Sequence, residues 1–310
     1  MSGPIETVLV PLDGSEMAER ALPLAAEIAD RSGAPLVLLS APQLGDAELA
    51  DVSDFEIRLP GVMSMEAMQA LRSSMREETL SYLEARAVPF SRRGLGVETI
   101  VTDDPPSVAI VKAADGHAGT LVVMGTHGRS GLGRWAFGSV AERVLHAGPR
   151  SLLLVPAGAD HVPKAPKSVL LPLDGTPSSE SVLPVVLRLA GLFDAKIKIA
   201  HVLPRFDELV RAGHGPLIDL ERRYEDWLRE YLAGIEERLS RDGFDVVTLE
   251  LAGPDVADAL LAQSARDDID LIALSSTPDS ESAELTMSSV VSRIVRSTRT
   301  PVLVQRGTAT

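Results

Sequence analysis

VLVPLDGS, residues 8 to 15, returns as VLLPLDGT at residues 169 to 176. A run of consecutive apolar residues, without alternation, suits a central parallel strand covered on both faces, and Asp-Gly ends it in a turn. The self-similarity outweighs any single motif, because it says that one folding unit is used twice. The segments after the two copies agree with this. EMAERALPLAAEIADRSG and PSSESVLPVVLRLAGLFD both read as amphipathic helices, with Ser15 placed to cap the first and Gly33 to stop it. Pro23 and Pro184 fall at matching places inside them, which predicts a shared kink.

The two halves then continue in step. Second strands are expected at Pro35 to Ser40 and at Lys196 to His201. Less regular connections lead to two long helices. The first carries Met63, Met65, Met68, Leu71, Met75, Leu80 and Leu83; the second carries Tyr224, Trp227, Leu228, Tyr231, Leu232, Ile235 and Leu239. Each is read as a helix packing an apolar face, not as a metal or hydrophobic-ligand site. Third strands (Val97 to Val101; Val246 to Leu251) precede short helices (Pro106 to Ala114; Val256 to Ala265). Fourth strands (Thr120 to Met124; Asp270 to Leu274) precede helices starting near Ser139 and Ser289, and last strands run from Ser151 to Val155 and from Pro301 to Val304. The fold class is therefore α/β: two tandem open parallel five-stranded sheets, each with helices on both faces. The Pro- and Ala-rich segment Pro156 to Lys167 reads as the linker, giving domains 1–158 and 166–310.

Composition bounds the chemistry. A chain of 310 residues with 45% hydrophobic and 24% charged residues fits two globular domains, and at 4% aromatic the cores must be aliphatic. There is no cysteine, which excludes disulfides, thiolate catalysis and cysteine-ligated metal and suits a reducing cytoplasm. The net charge of -14 argues against a general nucleic-acid binder. No apolar run is long enough to cross a bilayer, and the opening MSGPIETVLVPLDGS does not read as a secretory leader. The histidines lack ligand-like spacing, so no protein-held metal is expected.

The fourth strand of the first half feeds the loop in LVVMGTHGRSGLGRWAFGSV, residues 121 to 140. Glycines let the backbone approach an anion, and the helix after the loop offers N–H groups and partial positive charge. His127, Arg129 and Arg134 add local donors. Neither a Walker lysine nor a completed G-x-G-x-x-G is present. Glycine clusters also mark ordinary surface connections, so on the loop alone the two readings stand level.

The spacing Gly125, two residues, Gly128, nine residues, Gly138-Ser139 resembles the ATP-binding signature of the universal stress protein family. The whole chain resembles a tandem member of it. That resemblance implies a Rossmann-like fold, similar to the adenine nucleotide alpha hydrolases, and ATP, ADP or AMP as ligand, with any Mg²⁺ held mainly by the phosphates. Pro11-Leu12-Asp13 would form the adenosine end, the Asp13 carboxylate accepting from ribose hydroxyls or the adenine amino group. Ala41, after Ser40, would touch adenine, and Met124 would cover the base. Gly125, Gly128 and Arg129 would cradle the phosphates with Gly138, Ser139 and Val140. Each residue has a plainer reading too: Asp13 as a turn former, Arg129 and Arg134 as solvated cations, Ser139 as a helix N-cap.

In the second half the signature keeps its spacing and loses its glycines. Ser275, Pro278, Ser288 and Ser289 stand for Gly125, Gly128, Gly138 and Ser139, while Asp279, Glu281 and Glu284 bring negative charge. Proline removes an N–H donor and the carboxylates repel polyphosphate, so one competent site, in the first half, is expected. The favoured function is a nucleotide-binding stress or regulatory protein that answers to ligand occupancy. The alternatives are a slow ATPase or adenylate-handling enzyme, for which no acid–base pair is evident, and a nucleotide-free interaction scaffold. The resemblance also implies that the two last strands face each other as an intramolecular pseudo-dimer, with a homodimer as a further step.

Overall fold

A computed structural model describes residues 5–42, 65–116, 119–126, 137–148, 150–159, 162–203, 215–253, 255–266, 268–276 and 289–307. The first half runs β1 (Thr7–Pro11), α1 (Glu16–Glu19), α2 (Leu22–Ser32), β2 (Leu36–Ser40), α3 (Met65–Ser91), β3 (Val97–Val101), α4 (Pro106–Asp115), β4 (Thr120–Gly125), α5 (Ser139–Ala147) and β5 (Ser151–Val155). The second runs β6 (Ser168–Pro172), α6 (Pro177–Glu180), α7 (Leu183–Phe193), β7 (Lys196–Leu203), α8 (Gly215–Arg241), β8 (Val246–Ala252), α9 (Val256–Ser264), β9 (Leu271–Ser276), α10 (Ser289–Ser297) and β10 (Val302–Arg306).

Each half is a mostly parallel, Rossmann-like α/β unit, and the repeat keeps its register at the centre. Val8 pairs with Leu36 in the first half as Val169 pairs with Ile197 in the second. The strand order β3-β2-β1-β4-β5-β10-β9-β6-β7-β8 makes one sheet of ten strands. All neighbours within a half are parallel. The junction alone is antiparallel: Leu153 lies opposite Leu303 and Leu154 opposite Val302. Two β-edges that would otherwise expose rows of N–H and C=O groups satisfy each other. At the rim of the junction the Ser151 hydroxyl donates to Gln305 Oε1 at 2.6 Å.

Alternation along the strands sorts the apolar side chains into two layers. Val8, Val10, Leu36 and Leu38 enter a core with α2 and α3 that continues through Val169, Leu171, Ile197 and Ile199 to α7 and α8. Leu9, Val37, Leu39, Val122 and Met124 face the other way, onto Ala109 and Ile110 of α4 and Ala141 and Val144 of α5. Helices thus cover both faces of the sheet.

Two local expectations need correction. Pro23 and Pro184 do not kink a continuous helix. The chain breaks before each of them, and each proline is the second residue of a new helix, α2 or α7. Proline's missing N–H has no intrahelical partner to lose there, so the position is favourable and not strained. The apolar face of α3 is also shorter than its sequence suggests: Leu83 is fully buried, while Leu71 and Leu80 are 37% and 38% exposed. Met63 lies outside the described residues. The linker is packed down: Arg20 donates to the carbonyl O of Ala157 at 2.7 Å and to that of Ala159, which is itself buried.

Candidate functional site

Parallel strands β1, β2 and β4 all point their carboxyl ends at one edge of the first-half sheet. Between β1 and β4 the strand order reverses, and such a switch point leaves a crevice outside the strand ends. Register fixes what lies there. Pro11 pairs with Leu39, and the Leu12 N–H donates to the Leu39 carbonyl at 2.8 Å. Leu9 pairs with Val122, so Pro11 comes level with Met124 and Asp13 stands just beyond the edge. Met124 belongs to the core layer under α5, and Ala41, Phe137 and Val140 pack against that same layer. Asp13, Ala41, Met124, Gly125 and the start of α5 thus lie along one crest, with Ala41, Met124 and α5 on the same side of the sheet. Leu12 does not join them by its side chain, which is buried in the opposite core; only its backbone reaches the crest.

The Asp13 carboxylate does visible structural work. Its Oδ1 accepts from the Ser15 N–H at 3.0 Å and from the Ser15 hydroxyl at 2.6 Å, and Ser15 Oγ accepts from the Ala18 N–H at 3.2 Å. The turn reading of Asp13 is therefore realised, and Ser15 caps α1 as expected. Gly14 between them sits at φ +82°, a left-handed conformation that suits glycine.

Ser139 is not the cap of its helix. Gly138 holds that position and Ser139 is the first helical residue. Glycine brings no side-chain acceptor, so the cap itself leaves the first-turn N–H groups of Ser139, Val140 and Ala141 to other partners. Thr126, which sequence reasoning passed over, fixes the two ends of the loop. Its N–H donates to the Val155 carbonyl at 2.9 Å, and its carbonyl accepts from the Gly138 N–H at 2.8 Å. Its Oγ1 accepts from the Ala157 N–H at 3.2 Å, tying the loop base to the linker. A hydroxyl residue directly after the strand-ending glycine was the available signal. Gly128 and Arg129, with His127 and Arg134, lie outside the described residues, as do Pro278, Ser288, Asp279, Glu281 and Glu284.

The second half contributes two arginines to α5 that the linear sequence does not connect with it, one at each end of the helix. Arg296 of α10 pairs with Glu142 in the first turn of α5, and its guanidinium lies 5.4 Å from the centre of the Phe137 ring. Arg306 of β10 donates to the carbonyl O of His146 and, at 3.3 Å, to that of Gly148 at the far end of α5. Burial draws the Arg306 guanidinium pKa below its usual value, but from so high a start that it stays protonated near neutrality.

The second half repeats the turn and furnishes it differently. Asp174 Oδ1 accepts from the Thr176 N–H at 2.9 Å and the Thr176 hydroxyl at 2.6 Å, and Gly175 sits at φ +83°. Desolvation opposes ionisation of Asp174, yet the Thr176 and Ser179 hydrogen bonds outweigh it and hold the carboxyl below its ordinary range. Above this turn Trp227 closes in, so that a Cβ on Gly175 would lie 2.3 Å from its ring. Trp227 stacks on Tyr231 with ring centres 5.6 Å apart, and the Tyr224 ring lies 5.8 Å from it, tilted. His201 is buried, with Nδ1 2.8 Å from the Leu173 carbonyl and Nε2 3.1 Å from the Tyr224 hydroxyl. A carbonyl can only accept, so Nδ1 donates to it.

A further side-chain bond recurs in both halves. Tyr82 donates to Glu19 at 2.9 Å, and Tyr231 donates to Glu180 at 3.1 Å. Burial first, then the carboxylate, push the Tyr82 phenol up to about 12 and raise Tyr231 further still. These groups brace the long helices, and both tyrosines pack against the core layer that holds Val8 and Val169. Among the described residues no three His, Asp or Glu side chains gather as a metal site, and no described helix is long and apolar enough to cross a membrane.

A sheet of this topology, with a crest at its switch point and a helix start beside it, defines a member of the open α/β class whose ligands bind at strand carboxyl ends. The sequence profile of the universal stress protein family matches residues 4–156 and again 166–306, and the chain belongs to that family. A universal stress protein of Mycobacterium bovis is 34% identical over 141 residues, which is 45% of this chain and 42% of that protein's length. One from Bacillus subtilis is 28% identical over 150 residues, 48% of this chain and 97% of its own. Among solved structures, a universal stress protein from Archaeoglobus fulgidus aligns with a TM-score of 0.70 at 20% identity, over 97% of this chain and 98% of that one. The chain thus spans less than half the length of the mycobacterial relative, and the Archaeoglobus likeness speaks for the fold.

Proposed function

We propose that the first half binds an adenine nucleotide and that the protein acts in stress response by reporting occupancy of this site to a partner. In this reading the Asp13 carboxylate meets the ribose or the base, and Ala41 and Met124 flank the adenine. The backbone at Pro11 and Leu12 shapes the adenosine end. Gly125, Gly128, Arg129, Gly138, Ser139 and Val140 hold the phosphates against the start of α5. Mg²⁺, where it accompanies ATP, is carried mainly by the phosphates. The observation that supports the reading is convergence: Ala41, Met124 and the glycine-capped start of α5 share one side of the sheet at the strand ends, and Asp13 follows the end of β1 beside the switch point. Neutral N–H groups at a helix start attract anions without needing a net positive protein.

The second half, in this reading, binds no nucleotide. Its loop sequence lacks the glycines, and it gives the sheet a partner edge instead of a second site. Units 1–158 and 166–310 then behave as an intramolecular pseudo-dimer, with a cytoplasmic setting consistent with a cysteine-free chain. Calorimetric titration of the full chain with ATP, ADP and AMP tests the proposal. Saturable binding that Asp13→Ala weakens and Asp174→Ala leaves unchanged is the expected outcome; equal sensitivity to both substitutions, or no binding at all, contradicts it.

A further inference from the structure

α5 carries the helix start at the crest, and the second half grips that helix at both ends. Arg296 meets Glu142 and Phe137 near the beginning, and Arg306 meets the last carbonyls. As an arginine–carboxylate contact the grip is one-sided among the described residues. Val122 with Leu152 and Ile272 with Val302 occupy equivalent rungs of β4·β5 and β9·β10, so the halves can be matched residue by residue here. His146 then stands where the second half has Arg296, Pro156 where it has Arg306, and Ser292 where the first half has Glu142. An arginine–carboxylate pair across the junction therefore arises at the first-half helix and has no counterpart at α10 among the described residues.

The chemistry gives this asymmetry a consequence. A carboxylate in the first turn suits the helix dipole, but it also repels an anion approaching the same N–H groups. Arg296 offsets that charge and lies against the ring of Phe137, the residue directly before the Gly138 cap. We infer that the second half tunes the first-half site: Arg296, by masking Glu142 and seating Phe137, sets the affinity for the phosphate chain of the ligand and not for its base. The inference rests on the nucleotide reading above and adds a positioning residue and a role for the half without a site.

Full-length protein, titrated calorimetrically with AMP, ADP and ATP at low salt, decides it. Arg296→Ala weakens ATP binding about tenfold and AMP binding only about two- to threefold, the loss growing with phosphate charge and shrinking as salt is added. Arg296→Lys keeps most of the affinity. The pair Glu142→Gln with Arg296→Ala binds ATP within about twofold of the unmodified chain, because nothing is left to mask. A loss that is equal for all three nucleotides, or one that persists in the double variant, overturns the coupling and leaves the site itself standing. An unmodified chain that binds none of them overturns both.

Discussion

The turns after β1 and β6 are nearly the same object, and they sit in different surroundings. Both have an Asp whose Oδ1 accepts from the hydroxyl and N–H two residues on, and both have a glycine near φ +80° between them. Above the second turn lies an aromatic ladder, with Trp227 against Gly175. At the equivalent place on α3, counted back from Tyr82 as Trp227 is from Tyr231, the first half has the exposed Glu78. Beside the first crest stands a helix capped by glycine and gripped by arginines from the other half. A duplicated backbone thus keeps its core and its turn, while the groups bordering the turn decide what it can do. A repeated Asp alone says nothing about ligand.

The largest effect tests what the halves share. Leu153 and Leu303 face each other across β5 and β10 and are almost fully buried, so Leu153→Ala and Leu303→Ala should each cost about 2–5 kcal/mol, and similar amounts. Denaturant melts of the two variants check this; a mild loss in one half alone would mean that the junction is not equally packed. Next comes the site. Asp13→Ala should weaken nucleotide binding by about 1.5–3 kcal/mol, the range for a charged hydrogen bond, while Asp174→Ala changes nothing measurable in the same titration.

A smaller effect probes the aromatic cover. Gly175→Ala combines a left-handed φ with a clash on Trp227, and should cost more stability than Gly14→Ala, by about 1–2 kcal/mol. Adding Trp227→Ala should remove the excess, read as a coupling energy in a double-mutant cycle. The smallest effect is electrostatic. The Asp174 carboxyl is held below its ordinary pKa of 3.8, so its stabilising bonds are present above that value and are lost as pH falls through the lower folded value. In an NMR titration Thr176→Ala should move the Asp174 midpoint upward.

Most of the architecture was legible because it is local and stated twice. Continuous apolar strands at Val8 and Val169, with matched helices and glycines, leave little freedom for any other class of fold. Pro23 misled because periodicity ran through it; the apolar stripe continued while the backbone broke and began again, which only hydrogen bonding reveals. Leu71 and Leu80 misled in the opposite way, being apolar in sequence and exposed on α3. At the crest, Asp13, Ala41, Met124 and Gly125 were readable from their place at strand ends. Thr126 was missed because its role is to hold two backbones together. Arg296 and Arg306 were invisible for another reason: their partners lie in the other half, brought near only when β5 meets β10.

The central claim is a single competent nucleotide site per chain, in the first half. Equilibrium dialysis of the intact chain against saturating ATP, counted as bound nucleotide per polypeptide, tests it most directly. The account predicts one equivalent, abolished or sharply weakened by Asp13→Ala; two equivalents, or one that survives Asp13→Ala and disappears with Asp174→Ala, would contradict it.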